Sequence, residues 1–463
     1  MRLEGLMKPF INSEDFFNIK KWLEGNNHPI EIDGLSSSSK AYFYNAIYEG
    51  LGKSVVVITH SDLEAKNVYE DLNLYLNNVY YFPAKEIVFY NIDAISGDLR
   101  WARLNVIKEI LSKKKNIVVT SIEAFTNEYT PKKLFLEHSI NLKIGKQIDF
   151  NELSKLLVES GYERVDMVEG KGEFSIRGGL LDLFPPDSIY PYRIELFGDE
   201  IDSIRTFNTE SQRSIDKVKT LSIFPAKEVI INEEIKNYAI ENIRENLNEA
   251  LKNNKDENVR EKLTSIINKN LEELQQTSKF ETIDSYIPLF YKETESLFDY
   301  LNDYIFILDE KVRSLGKLDS TYLEFLENYS IFLERGDILP KQGELLINKD
   351  ELIEKFEKQV HITLQEIPKE GDFLKSFNKL DIQAIELTGY QGQLDLLIND
   401  ILSKKKEGYR TIILSGTKAR GERLVSTLRD RGIESVYKDK IDEIAEGEVV
   451  ITYGNSLKGF ECK

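Results

Sequence analysis

The chain has 463 residues, 41% of them hydrophobic and 30% charged, with a formal net charge of -18. That length exceeds what one hydrophobic core organises, so three or four domains are expected. The negative charge argues against broad binding to a phosphate backbone, which needs a basic surface to release counterions; it suits a partner with basic patches, or solubility alone. The single cysteine, Cys462, excludes a disulfide framework and a cysteine-rich zinc site. No run of about 18 apolar residues occurs and the opening MRLEGLMKPF lacks an apolar signal core, so a cytoplasmic protein without membrane association is expected.

Residues 1–126 read as α/β. KSVVVITH (Lys53 to His60) and NIVVTSIEAF (Asn116 to Phe125) are short continuous apolar runs, the pattern of strands buried on both faces. Between them lie two helical stretches; in the second, Trp101, Leu104, Ile107 and Leu111 form one stripe. Strands alternating with helices imply a parallel sheet. Residues 127–222 change character: after the helical FNELSKLLVESG, GEFSIRGGLLDLF and YRIELFGDEIDSIRTF alternate between apolar and polar. A small inserted α+β domain of antiparallel hairpins is expected there. Residues 223–342 turn helical and charged, then reach DYIFILDE, a buried-strand run expected to complete the first sheet. A separate small α/β domain is expected over 343–463, with GYRTIILSGT and GEVVITYG as parallel strands and RGERLVSTLRDRG as the helix between them. The chain stops at Lys463 with no polar tail, an ending that reads as a truncation.

One segment carries a chemical signature. GLSSSSKAY, from Gly34 to Tyr42, keeps the outer spacing of a phosphate-binding loop through Gly34 and Lys40. Such a loop needs a second glycine for backbone approach to phosphate and a Ser or Thr hydroxyl on magnesium. Ser39 and Ala41 occupy those two places, and an alanine cannot coordinate a metal ion. Asp309 and Glu310 at the end of DYIFILDE take the place of the acidic pair that holds magnesium in nucleotide hydrolases. With the loop degenerate, the pair reads as a remnant: no ATP hydrolysis, no catalytic residues and no cofactor are expected. Weak anion binding through Lys40 and the helix N-terminus stays open. The four histidines, His28, His60, His138 and His361, lack metal-ligand spacing, so no metal site is expected. TGYQGQLD, Thr388 to Asp395, precedes a helix and strand as in helicase-like domains, but no phosphate loop accompanies it.

The hairpin segment carries a different one. If YRIELF is a regular strand, Ile194 and Leu196 face the core while Arg193, Glu195 and Phe197 face the other way. In EFSIR, Phe174 and Ile176 point inward and Glu173, Ser175 and Arg177 outward. A phenylalanine beside arginines on a polar face suits an interface anchor. The competing reading pairs Arg177 and Arg193 with Glu195 or Glu173 across the hairpin, for under about 1 kcal/mol.

GEFSIRGGLLDLFPPDSIYPYRIELFGDEIDSIRTFNTESQR (Gly172 to Arg213), with SIEAF, ISGDLRWARL and FDYLNDYIFILDE in the same order, resembles the N-terminal part of the bacterial transcription-repair coupling factors (Mfd), whose first domains are similar to UvrB. The resemblance covers nearly the whole chain and is weakest near residues 230 to 280. It implies a helicase-type, UvrB-like parallel sheet with an inserted domain that binds the nucleotide-excision-repair subunit UvrA. Arg177, Arg193 and Phe197 match the residues through which that family contacts UvrA. The resemblance further implies a recruitment role at stalled RNA polymerase. It places polymerase binding, DNA binding and the ATP-driven motor downstream of these residues, and no intact GxxxxGK[ST] occurs here. The alternative is an ATP-dependent damage-processing subunit of the UvrB type with a working nucleotide site. UvrB carries a long aromatic hairpin that clamps DNA; here only Asn91 to Ala94 separate FPAKEIVFY from ISGDLRWARL, which leaves no room for one. Tyr80, Tyr81, Phe82, Phe89 and Tyr90 lack surrounding Lys and Arg and are expected in the core, with little DNA binding by this chain.

Overall fold

The computed structural model describes residues 4–85, 89, 97–369, 373–387, 389–390, 392–454 and 458–462. Its centre is a parallel sheet of seven strands, in the order Asn378–Asp381, Ile30–Asp33, Val360–Gln365, Ile305–Asp309, Val55–Thr59, Ile117–Ser121, Val79–Phe82. The continuous apolar runs have a direct physical reading. Side chains alternate across a strand, and helices cover both faces, so every position meets a core. Val56, Ile58, Val118, Phe306 and Leu308 enter one cluster; Val55, Val57, Ile117, Val119, Ile305 and Ile307 enter the other.

DYIFILDE does return to this sheet, pairing with Val55–Thr59 on one side and Val360–Gln365 on the other. The expected stripe on the helix Gly97–Leu111 is also present: Leu104 and Ile107 are buried, with Trp101 and Leu111 packed at the margin. Phe82 and Phe89 are core, and Tyr80 and Tyr81 pack against it. Tyr90 and the residues Asn91 to Ala94 lie outside the described residues. NIVVTSIEAF is a strand only to Ser121; Ile122–Phe125 forms a single 3-10 turn.

The end of this sheet departs from the expected boundary at residue 343. Val360–Gln365 and Asn378–Asp381 both lie in the central sheet, on either side of Ile30–Asp33. A βαβ crossover through the helix Lys349–Gln359 delivers the first of them. No composition change marks that crossover, so the sequence offers no break to read. The small α/β unit proper is built from Thr411–Ser415, Val449–Tyr453 and Val436–Tyr437, with the helices Leu394–Lys406 and Lys418–Asp430. Within TGYQGQLD, Thr388 and Gln391 lie outside the described residues.

The inserted segment forms a sheet of six strands: Ser214–Val218, Glu200–Phe207, Tyr192–Phe197, Leu180–Leu183, Glu173–Arg177 and Glu163–Arg164. The pairs are antiparallel except the last, which is parallel. The helix Phe150–Glu159, capped by the Asp149 carboxylate on the Asn151 amide, lays Leu153 and Leu157 on its inner face. A helical hairpin, Glu233–Asn253 and Glu257–Thr277, follows with its own core; Asn232 and Asp256 cap its two N-termini.

Candidate functional site

Two places carry the residues singled out from sequence. The first is the degenerate phosphate loop at the C-terminal edge of the central sheet, where open α/β sheets hold ligands. Gly34 has φ +86, so the loop turns there as a phosphate loop would, and the helix Ser37–Leu51 starts just beyond. The head of the loop is engaged by the chain itself. The Gly34 amide donates to the Gln365 carbonyl at 3.0 Å, and the Ala384 amide donates to the Gly34 carbonyl at 3.1 Å. The segment around Asp381 and Ile382 lies so close that a Cβ on residue 34 would sit 2.8 Å from the Ile382 carbonyl oxygen. Ser39 is buried, its hydroxyl donating to the Ser36 carbonyl at 2.8 Å, and Ala41 faces the core. The Ser38 hydroxyl donates to the Gly459 carbonyl at 3.0 Å, which brings the last strand over the helix start.

Lys40, Asp309 and Glu310 do converge. The Lys40 ammonium lies 2.7 Å from Asp309 and 3.1 Å from Glu310, with all three side chains at least nine-tenths buried. Burial pushes the Asp309 carboxyl above its ordinary range even beside this ammonium. Glu310 is held below its ordinary range despite burial, by Lys40 and by the Glu366 amide that donates to it at 2.9 Å. Lys40 is held above its own range, the two carboxylates outweighing the cost of burial. Glu310 adopts a left-handed φ of +50, unusual for a residue with a Cβ, and starts the helix Lys311–Glu334. Lys40 is thus a counterion to the two carboxylates at the end of the strand Ile305–Asp309.

The second place is the outer face of the inserted sheet. Ile194 is fully buried and Leu196 packs at the core margin, whereas Phe197 is 85% exposed. Phe197 ends its strand opposite Glu200, and Gly198 takes the positive φ of +64 that the tight hairpin turn requires. The register shift between Glu195 and Leu196 leaves the extra residue, Asp202, on the partner strand, so the alternation that aims Phe197 outward is kept. In the strand Glu173–Arg177 the expected alternation fails at Ser175. It is buried, because its hydroxyl donates to the Asp166 carbonyl at 2.8 Å, and Ile176 is only partly covered.

Arg177 and Arg193 share one partner that the sequence reading did not single out, Asp182 on the strand between theirs. The Asp182 carboxylate is 3% exposed. It accepts Arg193 Nε at 2.7 Å and Nη2 at 2.8 Å, and Arg177 Nη2 at 3.1 Å. Antiparallel register explains the meeting: Asp182 stands opposite Arg193 on one side and Ser175 on the other. Arg193 also donates to Gln212 Oε1 at 2.9 Å and stacks 4.4 Å from the Phe207 ring centroid. Its guanidinium is held above its ordinary range, chiefly by the Asp182 hydrogen bonds and against the cost of burial. The expected partners are engaged elsewhere: Glu195 pairs with Arg205, and Glu173 accepts the Glu169 and Gly170 amides at 2.8 Å. The Arg177 side chain stays 54% exposed, that of Arg193 only 17%. The face therefore offers one accessible guanidinium, one fixed guanidinium and one bare benzyl group.

Among the described residues no group of three or more His, Cys, Asp or Glu side chains could hold a metal ion, and no helix is long and apolar enough to cross a membrane. The family model described as the UvrB interaction domain matches residues 140–229, which contain the whole Arg177, Asp182, Arg193 and Phe197 cluster. A transcription-repair-coupling factor of Bacillus subtilis (strain 168) is 32% identical over 461 residues, covering 97% of this chain and 38% of that protein. One from Staphylococcus haemolyticus (strain JCSC1435) is 28% identical over 475 residues, covering 98% and 39%. One from Staphylococcus aureus (strain MRSA252) is 26% identical over 437 residues, covering 93% and 37%. The chain thus spans under two-fifths of the length of the curated relatives it matches. Along nearly all of its own length the chain is similar to transcription-repair-coupling factors, and its residues 140–229 match the UvrB interaction domain.

Proposed function

We propose that this chain is a recruitment module of transcription-coupled DNA repair that binds the excision-repair subunit UvrA through Arg177, Arg193 and Phe197 and hydrolyses no ATP itself. The observation that carries the reading is Phe197, 85% exposed on a hairpin tip beside an ordered pair of arginines. An apolar side chain of that size gains by being desolvated against a partner, and a guanidinium fork supplies direction toward a carboxylate. The self-occupied phosphate loop and the Lys40 ion pairs support a silent nucleotide site. Displacement of stalled RNA polymerase, DNA translocation and the motor belong, in this reading, to parts of the relatives outside this chain, and the setting is the cytoplasm. For the domains, 1–126 and 223–342 are the two halves of a UvrB-like body around the inserted UvrA-binding domain, 127–222. The central sheet extends into the fourth unit, 343–463.

The test is co-elution with purified UvrA on a sizing column, with a titration for affinity. The Phe197→Ala and Arg177→Ala variants should fold normally and bind at least about thirtyfold more weakly, a loss of about 2 kcal/mol or more. Parental affinity in both variants refutes the assignment. An ATPase assay with and without DNA should give no turnover; turnover above background would favour a working UvrB-type enzyme instead.

A further inference from the structure

The helix Lys311–Glu334 keeps two leucines in water, Leu323 at 63% and Leu326 at 52% exposed. With Asp319, Tyr322 and Tyr329 they recur every three or four residues and line one wall of a groove of about 770 Å³. The 3-10 turn Pro340–Leu345 and the residues on to Lys349 line the other wall. Tyr322, Phe325, Leu346 and Ile347 make a buried, apolar floor. The two walls are tied together, so the groove is preformed. The Tyr322 hydroxyl donates to the Ile347 carbonyl, and the Tyr329 hydroxyl donates to the Pro340 carbonyl at 2.8 Å. Gly343 approaches the Tyr329 ring so closely that a Cβ there would fall 2.8 Å from it. An ion pair between Lys349 and Asp319 closes one end.

Three kinds of occupant place different demands on such a groove. A small ligand is oriented by a few convergent polar groups. Here Lys349 and Asp319 answer each other, and the Asn348 side chain accepts the Asp350 amide at 2.9 Å. An extended peptide needs backbone partners along its length, and the Pro340 and Ile347 carbonyls already accept the two tyrosines. A helix satisfies its own backbone and needs only apolar side chains on one face. The helical wall from Asp319 to Tyr329 runs about 15 Å, enough for roughly three turns of such a partner.

The rims supply the sign of its charge. Glu327 stands exposed on the helix beside Leu323 and Leu326, and Glu344 stands exposed on the turn across from it. Among the described residues neither makes an ion pair, whereas the Lys349 cation is already answered. Burial first, and then the Glu344 charge, hold the Tyr329 hydroxyl above its ordinary range, so the negative field reaches into the groove. We propose that this groove docks a cationic amphipathic helix of a partner protein, with apolar side chains on the floor and Lys or Arg beside Glu327 and Glu344. The contact is separate from the arginine face of the inserted sheet.

The experiment titrates the whole chain into a fluorescently labelled synthetic peptide of about 14 residues, with leucine at i, i+3 and i+7 and lysine and alanine elsewhere, read by anisotropy. Binding should saturate and be at least about tenfold tighter than for the same peptide with glutamate in place of lysine, or with its leucines spread around the helix. The double variant Leu323→Ser with Leu326→Ser alters only exposed positions, so it should keep the parental circular dichroism while binding at least about tenfold more weakly. Glu327→Gln with Glu344→Gln should weaken binding at low salt and flatten its salt dependence. Phe197→Ala should leave the titration unchanged, which separates this contact from UvrA binding. No saturable binding, equal affinity for the redistributed or glutamate peptide, or parental affinity in the leucine variant overturns the proposal; the last result would mean unspecific attraction to an acidic chain.

Discussion

Asp182 is the most informative residue to perturb, because the order of the arginine face rests on it. In Asp182→Ala, the Arg193 side chain, 17% exposed, loses two hydrogen bonds and keeps only Gln212 and the Phe207 ring. Breaking a sealed ion pair costs about 3–5 kcal/mol; the surviving Gln212 contact and the partial exposure reduce this to about 2–3 kcal/mol. Loss of the Arg177 contact adds little, since that side chain is 54% exposed and an exposed pair is worth under about 1 kcal/mol. Hydrogen exchange read on the strands Leu180–Leu183 and Tyr192–Phe197 isolates the local effect, which a global melt of a multi-unit chain would blur. The opening free energy of those strands should fall by about 2–3 kcal/mol. Affinity for UvrA should fall about tenfold, although Asp182 is too buried to be touched. Asp182→Asn, which keeps one acceptor and the shape, should lose about half as much. Protection unchanged within about 0.5 kcal/mol in Asp182→Ala would refute the claim that this carboxylate organises the face.

Three further outcomes follow from the central sheet. Lys40→Met strands two buried carboxylates and should destabilise the chain by about 3–5 kcal/mol in urea unfolding; a change under about 1 kcal/mol would contradict the counterion role. The double change Ser39→Gly with Ala41→Thr restores the motif letters but not the site. Gly34 remains paired with Gln365 and Ala384, so calorimetric titration with magnesium and ATP should show no binding, and any saturable heat would count against that closure. His361 stacks on His28 with ring centroids 4.9 Å apart and accepts the Phe306 amide through Nδ1 at 3.2 Å. Burial, then His28, lowers its pKa from 6.5 to about 4, so the folded ring stays neutral while the unfolded one binds a proton. Stability should therefore be full above about pH 6.5 and decline toward pH 4 by up to about 3 kcal/mol, and His361→Gln should flatten that acid limb. An unchanged slope in the variant would place the effect elsewhere.

The sequence alone determined most of the elements of this protein and the departure of Gly34 to Ala41 from an intact phosphate-loop motif. The apolar runs from Val55 to Ile58 and from Ile305 to Leu308 identify themselves because a strand covered on both faces carries apolar side chains at successive positions. Ala41 lacks the hydroxyl that magnesium needs, whatever surrounds it. The outward aim of Phe197 was likewise legible, since alternation along a strand has period two. Tertiary structure alone decided the partners. Asp182 meets both arginines through sheet register. Lys40 meets Asp309 and Glu310 across about 270 residues because parallel strands end on one edge. The loop at Gly34 is closed by residues near 382, whose strand carries no mark of its membership in the central sheet. Local patterns report what a residue's own backbone does with it; which distant group lies opposite is set by strand order, and periodicity does not encode that order.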